Sequence, residues 1–286
     1  MTEKEGDHMA FLTVNLMSAC LMRTVPVNVI LPVDKVDGPE TLKREDKPFK
    51  TLYLLHGVLG SYVDWVSGTR IQRYADEYDL AVVMPSGDNA FYIDEPLSHN
   101  YYGEFIGREL VELTRKLFHL SHKREDTFIG GLSMGGYGAI RNGLKYHDTF
   151  GAIISLSGAL GVDEMHKRTN ETSAFMERRD FTERIFGDLE EVVISDKNPK
   201  YLVEQMVREK VDFPQIYMAC GDQDSLLPAN KDFYKFLQDK GVEAVFEIGE
   251  GNHEWDFWDT YIKRGIEWLP TEKTGLGMNS GNIAIS

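Results

Sequence analysis

The stretch TFIGGLSMGGYGAI, residues 127–140, constrains this chain more than any other. A β-branched and aromatic run gives way to Gly130, Gly131, Gly135, Gly136 and Gly138, crowded around a single serine, Ser133. A plain strand-to-helix junction needs only one or two small residues, so the crowding has another cause. The frame Gly131-Leu132-Ser133-Met134-Gly135 fits Gly-x-Ser-x-Gly, in which a serine on a strained strand-to-helix turn presents its hydroxyl above a sheet. Glycines two before and two after the serine are required because the strand and helix backbones pass too close for a Cβ. The flanks agree: Thr127, Phe128 and Ile129 read as the end of a buried strand, and Tyr137, Ala139, Ile140 and Leu144 follow at helical spacing. A phosphate-cradling loop is the competing reading. No Gly-Lys-Ser/Thr follows, however, and no G-x-G-x-x-G frame fits.

A serine hydroxyl becomes a nucleophile only with a base to take its proton, and the base needs an acid to hold its tautomer. In an elbow architecture these follow the serine in the chain order acid, then histidine. Three histidines lie beyond Ser133: His147, His166 and His253. His147 falls at the far end of the elbow helix and His166 in a charged segment. His253, in the turn-rich EGEGNHEW, follows the last predicted strand, where a loop would deliver it to the sheet edge. The preceding strand ends in YMACGDQDSLL, and the residues alone leave Asp222 and Asp224 both open as the acid. An oxyanion hole completes such a site. Its expected donors are the N–H of Met134, after the nucleophile, and the N–H of Val58 in the His56-Gly57 turn of YLLHGVLGSYVDW.

The remaining segments predict the frame that would carry these parts. FLTVNLMSACLMRTVPVNVILP alternates as two strands, 11–18 and 22–31, joined by a short link and hence antiparallel. KTLYLLHG, DLAVVMP, FGAIISLSG and FPQIYMAC are continuous apolar strands of the kind buried on both faces, and EAVFEIG is a further strand. Helical spacing marks 104–119 and 254–269. Strands alternating with helices predict an α/β fold: a mostly parallel, doubly wound sheet covered on both faces, formed as one domain over 10–270. Residues 161–213 are too long for a simple crossover, and Phe175, Met176, Phe181, Ile185 and Phe186 punctuate their charges. They are expected to form a helical cap over the site, because loops after strand C-termini surround the ligand in open α/β sheets. Residues 1–9 and 271–286 are expected to be tails.

Composition narrows the partners. A net charge of −15 over 286 residues opposes binding to nucleic acid or an anionic membrane surface. No apolar run approaches the length of a membrane span, and the acidic start MTEKEGDHMAF is unlike a signal peptide, so a cytoplasmic location is expected. Cys20 and Cys220 stand alone, and the histidines show no ligand spacing, so neither a disulfide framework nor a metal site is expected.

Taken together, LYLLHG, AVVMPSGDNAFYID, TFIGGLSMGGYGAI, SLSGAL, CGDQDSLLPAN and NHEWDFW resemble the tributyrin-esterase group of the esterase D family, from about residue 10 to 270. That family also holds S-formylglutathione hydrolases and is related to feruloyl and acetyl-xylan esterases. The resemblance implies an α/β-hydrolase fold, a Ser133–His253–Asp224 triad, hydrolysis of short-chain acyl esters of small molecules without a cofactor, and a homo-oligomer, dimer or tetramer. Asp224 is preferred to Asp222 because the CGxQD frame fixes the second acid. Gly221 also permits a sharp turn that sets Asp224 toward the histidine loop. Trp65, Phe91, Tyr92 and Trp255 are the expected pocket aromatics. HGVLGSYVDW differs from the SGLTC-like loop of S-formylglutathione hydrolases, which weakens the thioesterase reading and leaves it, beside a feruloyl or acetyl-xylan esterase, as the alternative. A non-catalytic ligand-binding homologue would lack a triad member, and none is lacking.

Overall fold

The computed structural model describes residues 10–33 and 46–274. One eight-stranded sheet organises them, built from β1 (Ala10–Ser18), β2 (Arg23–Leu31), β3 (Lys50–Leu55), β4 (Leu80–Pro85), β7 (Thr127–Leu132), β8 (Ala152–Leu156), β9 (Gln215–Gly221) and β10 (Val245–Gly249). The two-residue strands β5 (Asp94–Glu95) and β6 (Asn100–Tyr101) form a separate small ladder. The order across the main sheet is β1-β2-β4-β3-β7-β8-β9-β10. β1 pairs antiparallel with β2, and β2 with β4, while every pairing from β4 to β10 is parallel. The predicted α/β class, with an antiparallel pair at the start of a parallel sheet, is borne out.

The central strands β3, β4, β7 and β8 are almost wholly buried, as continuous apolar runs require. Two apolar clusters cover the two faces of the sheet. One contains Tyr53, Ile129, Tyr137, Ile140 and Ile153, and the other Leu52, Trp65, Phe128, Ile154 and Ile262. The sequence reading missed two short helices, Asp64–Gly68 and Ile71–Glu77, that pack on the second face.

Residues 161–213 are less of a unit than expected. The helix Pro199–Glu209 packs against the elbow helix Met134–Lys145 as an ordinary crossover helix does. The excursion is therefore confined to 161–198, with 3₁₀ turns and the short helices Arg179–Phe186 and Leu189–Val192. At the C-terminal end, the Lys273 ammonium pairs with Glu77 at 2.9 Å and Thr274 N–H donates to Glu77 O at 3.0 Å, so the ordered chain passes residue 270. The rest of the expected tails, 1–9 and 275–286, and most of the charged loop after β2 lie outside the described residues.

Candidate active site

Ser133 lies between β7 and the elbow helix with φ 54° and ψ −118°, a conformation that costs an L-residue energy and is kept where the fold over-determines it. The flanking glycines show why. A Cβ on Gly131 would collide with Gly135 O and come within 2.8 Å of Leu55 O. One on Gly135 would strike Leu55 O and lie 2.6 Å from His56 O. The strand, the turn and the helix thus meet backbone to backbone, and the serine is pushed up from the junction.

The candidate base and acid arrive on two loops laced together. Asp222 N–H donates to Gly249 O at 2.8 Å, and Gln223 N–H to Gly251 O at 3.0 Å. His253 Nδ1 lies 2.9 Å from Asp224 Oδ2, and its Nε2 lies 3.0 Å from Ser133 Oγ. An ionised carboxylate can only accept, so Nδ1 carries the proton and Nε2 is left to accept from the serine hydroxyl. The Asp224 side chain is fully buried, whereas that of His253 is 33% exposed. Burial pushes the Asp224 carboxyl up. Hydrogen bonds from His253, the Leu226 N–H and Ser157 outweigh it and hold the group below the usual carboxylate range. Asp222 is exposed and, among the described residues, accepts only a Gly251 N–H, at 3.2 Å.

The His56-Gly57 turn passes directly beside the serine, since a Cβ on Gly57 would sit 3.4 Å from Ser133 Cβ. His56 is buried, and Gly87 N–H donates to its Nε2 at 2.8 Å. The proton must therefore be on Nδ1, which donates to Gly57 O at 2.7 Å. Burial lowers the His56 pKa, in keeping with a neutral ring. Tyr92 OH donates to His56 O at 3.0 Å and clamps the same turn from the other side. Val58 follows, half-buried, and Met134 opens the elbow helix, where the first N–H groups have no intrahelical partner.

The expected pocket aromatics divide. Trp65 and Tyr92 are core residues rather than open pocket walls: Trp65 Nε1–H donates to Leu55 O at 2.9 Å, and the Tyr92 ring lies against Gly87 and Gly138. Phe91 is also buried, and its ring meets Tyr137 and Phe186 of the excursion. Only Trp255 is partly exposed, two residues after His253 and edge-on to Trp65 and Trp258. Phe181 and Ile185 line a cavity of about 650 Å³ with Ala90, Ile93, Leu97 and Tyr102. Three supporting residues escaped the sequence reading: the His56 side chain, Ser157 and Trp258. The SLSGAL and NHEWDFW segments contain the last two, but their partners are set by tertiary contact.

Comparison with known proteins follows this geometry. The family described as "Putative esterase" matches residues 18–268. The chain is 44% identical over 261 residues to an acetyl esterase of Caldicellulosiruptor saccharolyticus, covering 91% of this chain and 98% of that one. Among solved structures, the substrate-bound fluorophosphonate-binding serine hydrolase F of Staphylococcus aureus is similar at 34% identity and TM-score 0.79, covering 91% of this chain and 98% of that one. The S-formylglutathione hydrolase of the same organism is similar at 34% identity and TM-score 0.77, covering 92% and 99%. This chain thus belongs to the esterase family, and with its mostly parallel sheet it is a carboxylic ester hydrolase of the α/β class.

Proposed function

We propose that the chain is a serine carboxylesterase that cleaves short-chain acyl esters through an acyl-enzyme. The observation that carries this reading is the continuous chain Ser133 Oγ–His253 Nε2–His253 Nδ1–Asp224 Oδ2, at 3.0 and 2.9 Å. His253 takes the hydroxyl proton as Ser133 Oγ attacks the ester carbonyl carbon. The Met134 and Val58 N–H groups hold the oxygen that becomes negative, the former helped by the positive end of the elbow helix. Collapse of the intermediate breaks the ester C–O bond, and His253 returns the proton to the leaving alcohol. Water, activated by the same imidazole, then releases the acid. Asp224 keeps Nδ1 protonated and stabilises the imidazolium without itself being protonated. On this reading the excursion 161–198 serves as the cap over the site.

The short-chain preference is supported by the acetyl esterase at 44% identity. Labelling with a fluorophosphonate, combined with turnover of nitrophenyl esters from acetate to palmitate, tests it. Fastest cleavage of acetate or butyrate, with labelling lost in Ser133→Ala, is expected, and faster cleavage of palmitate replaces this reading with a lipase. The likeness to an S-formylglutathione hydrolase favours a thioesterase as the second reading. A kcat/KM for an acyl thioester above that for the matching oxygen ester would select it.

A further inference from the structure

The loop after β4 grips the segment around Val58 at three points. Gly87 N–H donates to the buried His56 ring and Tyr92 OH to His56 O, as described above. The third contact is made by a side chain outside the proton transfers: Asn89 Oδ1 accepts from Leu59 N–H at 2.9 Å. Asn89 is itself exposed, and its place is set by the residue before it. Asp88 lies in the left-handed region at φ 46°, and its Oδ2 accepts from Arg23 at 2.5 Å and from Tyr102 OH at 2.6 Å.

Gly57-Val58-Leu59-Gly60 forms a turn closed by Gly60 N–H on Gly57 O at 3.2 Å. Leu59, at its third position, has φ 67°, whereas Val58 is not in the left-handed region, so the turn is of type II. That type calls for glycine where Leu59 stands. The Leu59 side chain is no anchor, being 73% exposed. Types I and II differ by a half-turn of the central peptide, here Val58–Leu59, and a leucine favours type I. Asn89 holds the N–H of that peptide and so opposes the flip. The preceding peptide is fixed by His56, whose Nδ1–H donates to Gly57 O at 2.7 Å. Across a trans peptide the Val58 N–H points the opposite way. Among the described residues, that N–H donates to no protein acceptor.

We propose that Asn89 is a positioning residue for the oxyanion hole, selecting the form of the turn in which the Val58 N–H meets the developing charge. The inference rests on the serine-esterase reading above, with Val58 as a donor. With Asn89 in place, the positive end of the Val58–Leu59 dipole is committed to a neutral amide oxygen. After the flip, the Val58 carbonyl would take that side and the dipole next to the donor would be reversed. A donor already in place needs no rearrangement as the charge forms. One that must first turn loses rate in the transition state rather than substrate binding, so the effect should fall on kcat and spare KM.

The test is kcat and KM on nitrophenyl acetate, with inhibition by a short-chain trifluoromethyl ketone, whose carbonyl carbon bonds to the serine oxygen and whose oxygen becomes an oxyanion. The proteins are Asn89→Ala, the same change in a Leu59→Gly background, Leu59→Gly itself and Ser133→Ala. Fluorophosphonate labelling run to completion counts the folded sites, so that misfolded protein does not enter the rates. Removing an oxyanion donor outright costs about 10²–10³ in kcat. Asn89 acts through one, so Asn89→Ala should lower kcat about tenfold at nearly constant KM and weaken the ketone by a similar factor. Glycine in place of Leu59 adopts the type II turn unaided, so in that background Asn89→Ala should cost less than about threefold. An unchanged kcat in Asn89→Ala, a loss carried by KM, or an equal loss in both backgrounds overturns the positioning role, while an inactive Ser133→Ala leaves the triad standing. An active Ser133→Ala overturns both.

Discussion

The elbow helix and the excursion 161–198 meet at the ring cluster Phe91–Tyr137–Phe186 and at polar contacts to Asp196 and Lys197, yet they are built on opposite terms. Every residue of the elbow helix from Met134 to Leu144 is buried, whereas only Thr182 and Phe186 are buried in the helix Arg179–Phe186. The first is positioned by backbone packed on backbone. The second is anchored by side chains: the buried Val162, Met165, Phe186, Leu189 and Val192, the Lys197 ammonium on Phe186 O at 2.8 Å, and Asp196 bonded to Arg141 at 2.6 Å. Ser133 therefore sits at the start of the part of the molecule with least freedom, and the excursion is a part that can change without moving it.

Substitutions can break that division. The largest effect is expected at the nucleophile, where Ser133→Ala should lower kcat by up to about 10⁶ with no loss of melting temperature. Near-normal turnover would remove Ser133 from the chemistry. Next comes the acid: Asp224→Asn keeps the shape but favours the wrong imidazole tautomer, and should cost about 10⁴ in kcat. Asp222→Asn should cost less than about tenfold, and the opposite ranking of the two variants would reverse their assignment. Phe186→Ala should show the contrary pattern, with a loss of about 3 kcal/mol in stability by chemical denaturation and kcat within about tenfold. A folded Phe186→Ala protein that has lost turnover would mean the excursion is part of the machinery, and the contrast drawn above would fail.

Acid should sharpen the comparison. Burial pushes the Asp196 carboxyl up, but Arg141 and Lys145 more than offset it and hold the group below its ordinary value. A depressed carboxylate contributes its stability above the unfolded-state pKa of about 3.9 and loses it as pH falls through the lower folded value. Hydrogen exchange should therefore find the excursion opening below about pH 4, ahead of the elbow helix. Simultaneous opening of both would show that they form one cooperative unit.

Much of the site was legible in the sequence because each part carries a local mark. Glycines flank Ser133 where no Cβ fits, turn residues precede His253, and continuous apolar runs name the buried strands. The acid pair could not be separated by spacing, because Asp222 and Asp224 leave the same strand two residues apart and differ only in what covers them. Trp65 and Tyr92 look like pocket aromatics in the sequence, and only tertiary packing shows that they are core. Ser157 and the His56 tautomer were invisible for the same reason: their roles are fixed by Trp258 and Gly87, remote in the chain. The extent of the excursion was overdrawn because helix Pro199–Glu209 has an amphipathic pattern equally suited to a cap or a crossover.

The closeness of backbones at the elbow also limits how this enzyme could be made to tolerate heat. Replacing glycine by alanine at a compatible site commonly stabilises a protein by about 0.4–1 kcal/mol, by restricting the unfolded chain. The Gly-rich elbow helix looks like the natural place to begin, but a methyl group at Gly135 would drive into Leu55 O and His56 O. Gly187 and Gly241 are closed to the same change by φ of 76° and 73°. Gly161, at the start of the excursion, has φ −75° and room for a Cβ, with Ala229 Cβ at 3.7 Å. Gly161→Ala should therefore raise the melting temperature by a few degrees at most, about the return on that entropy alone. Heat tolerance in this chain has to be gained in the covering, where catalysis has left the backbone room.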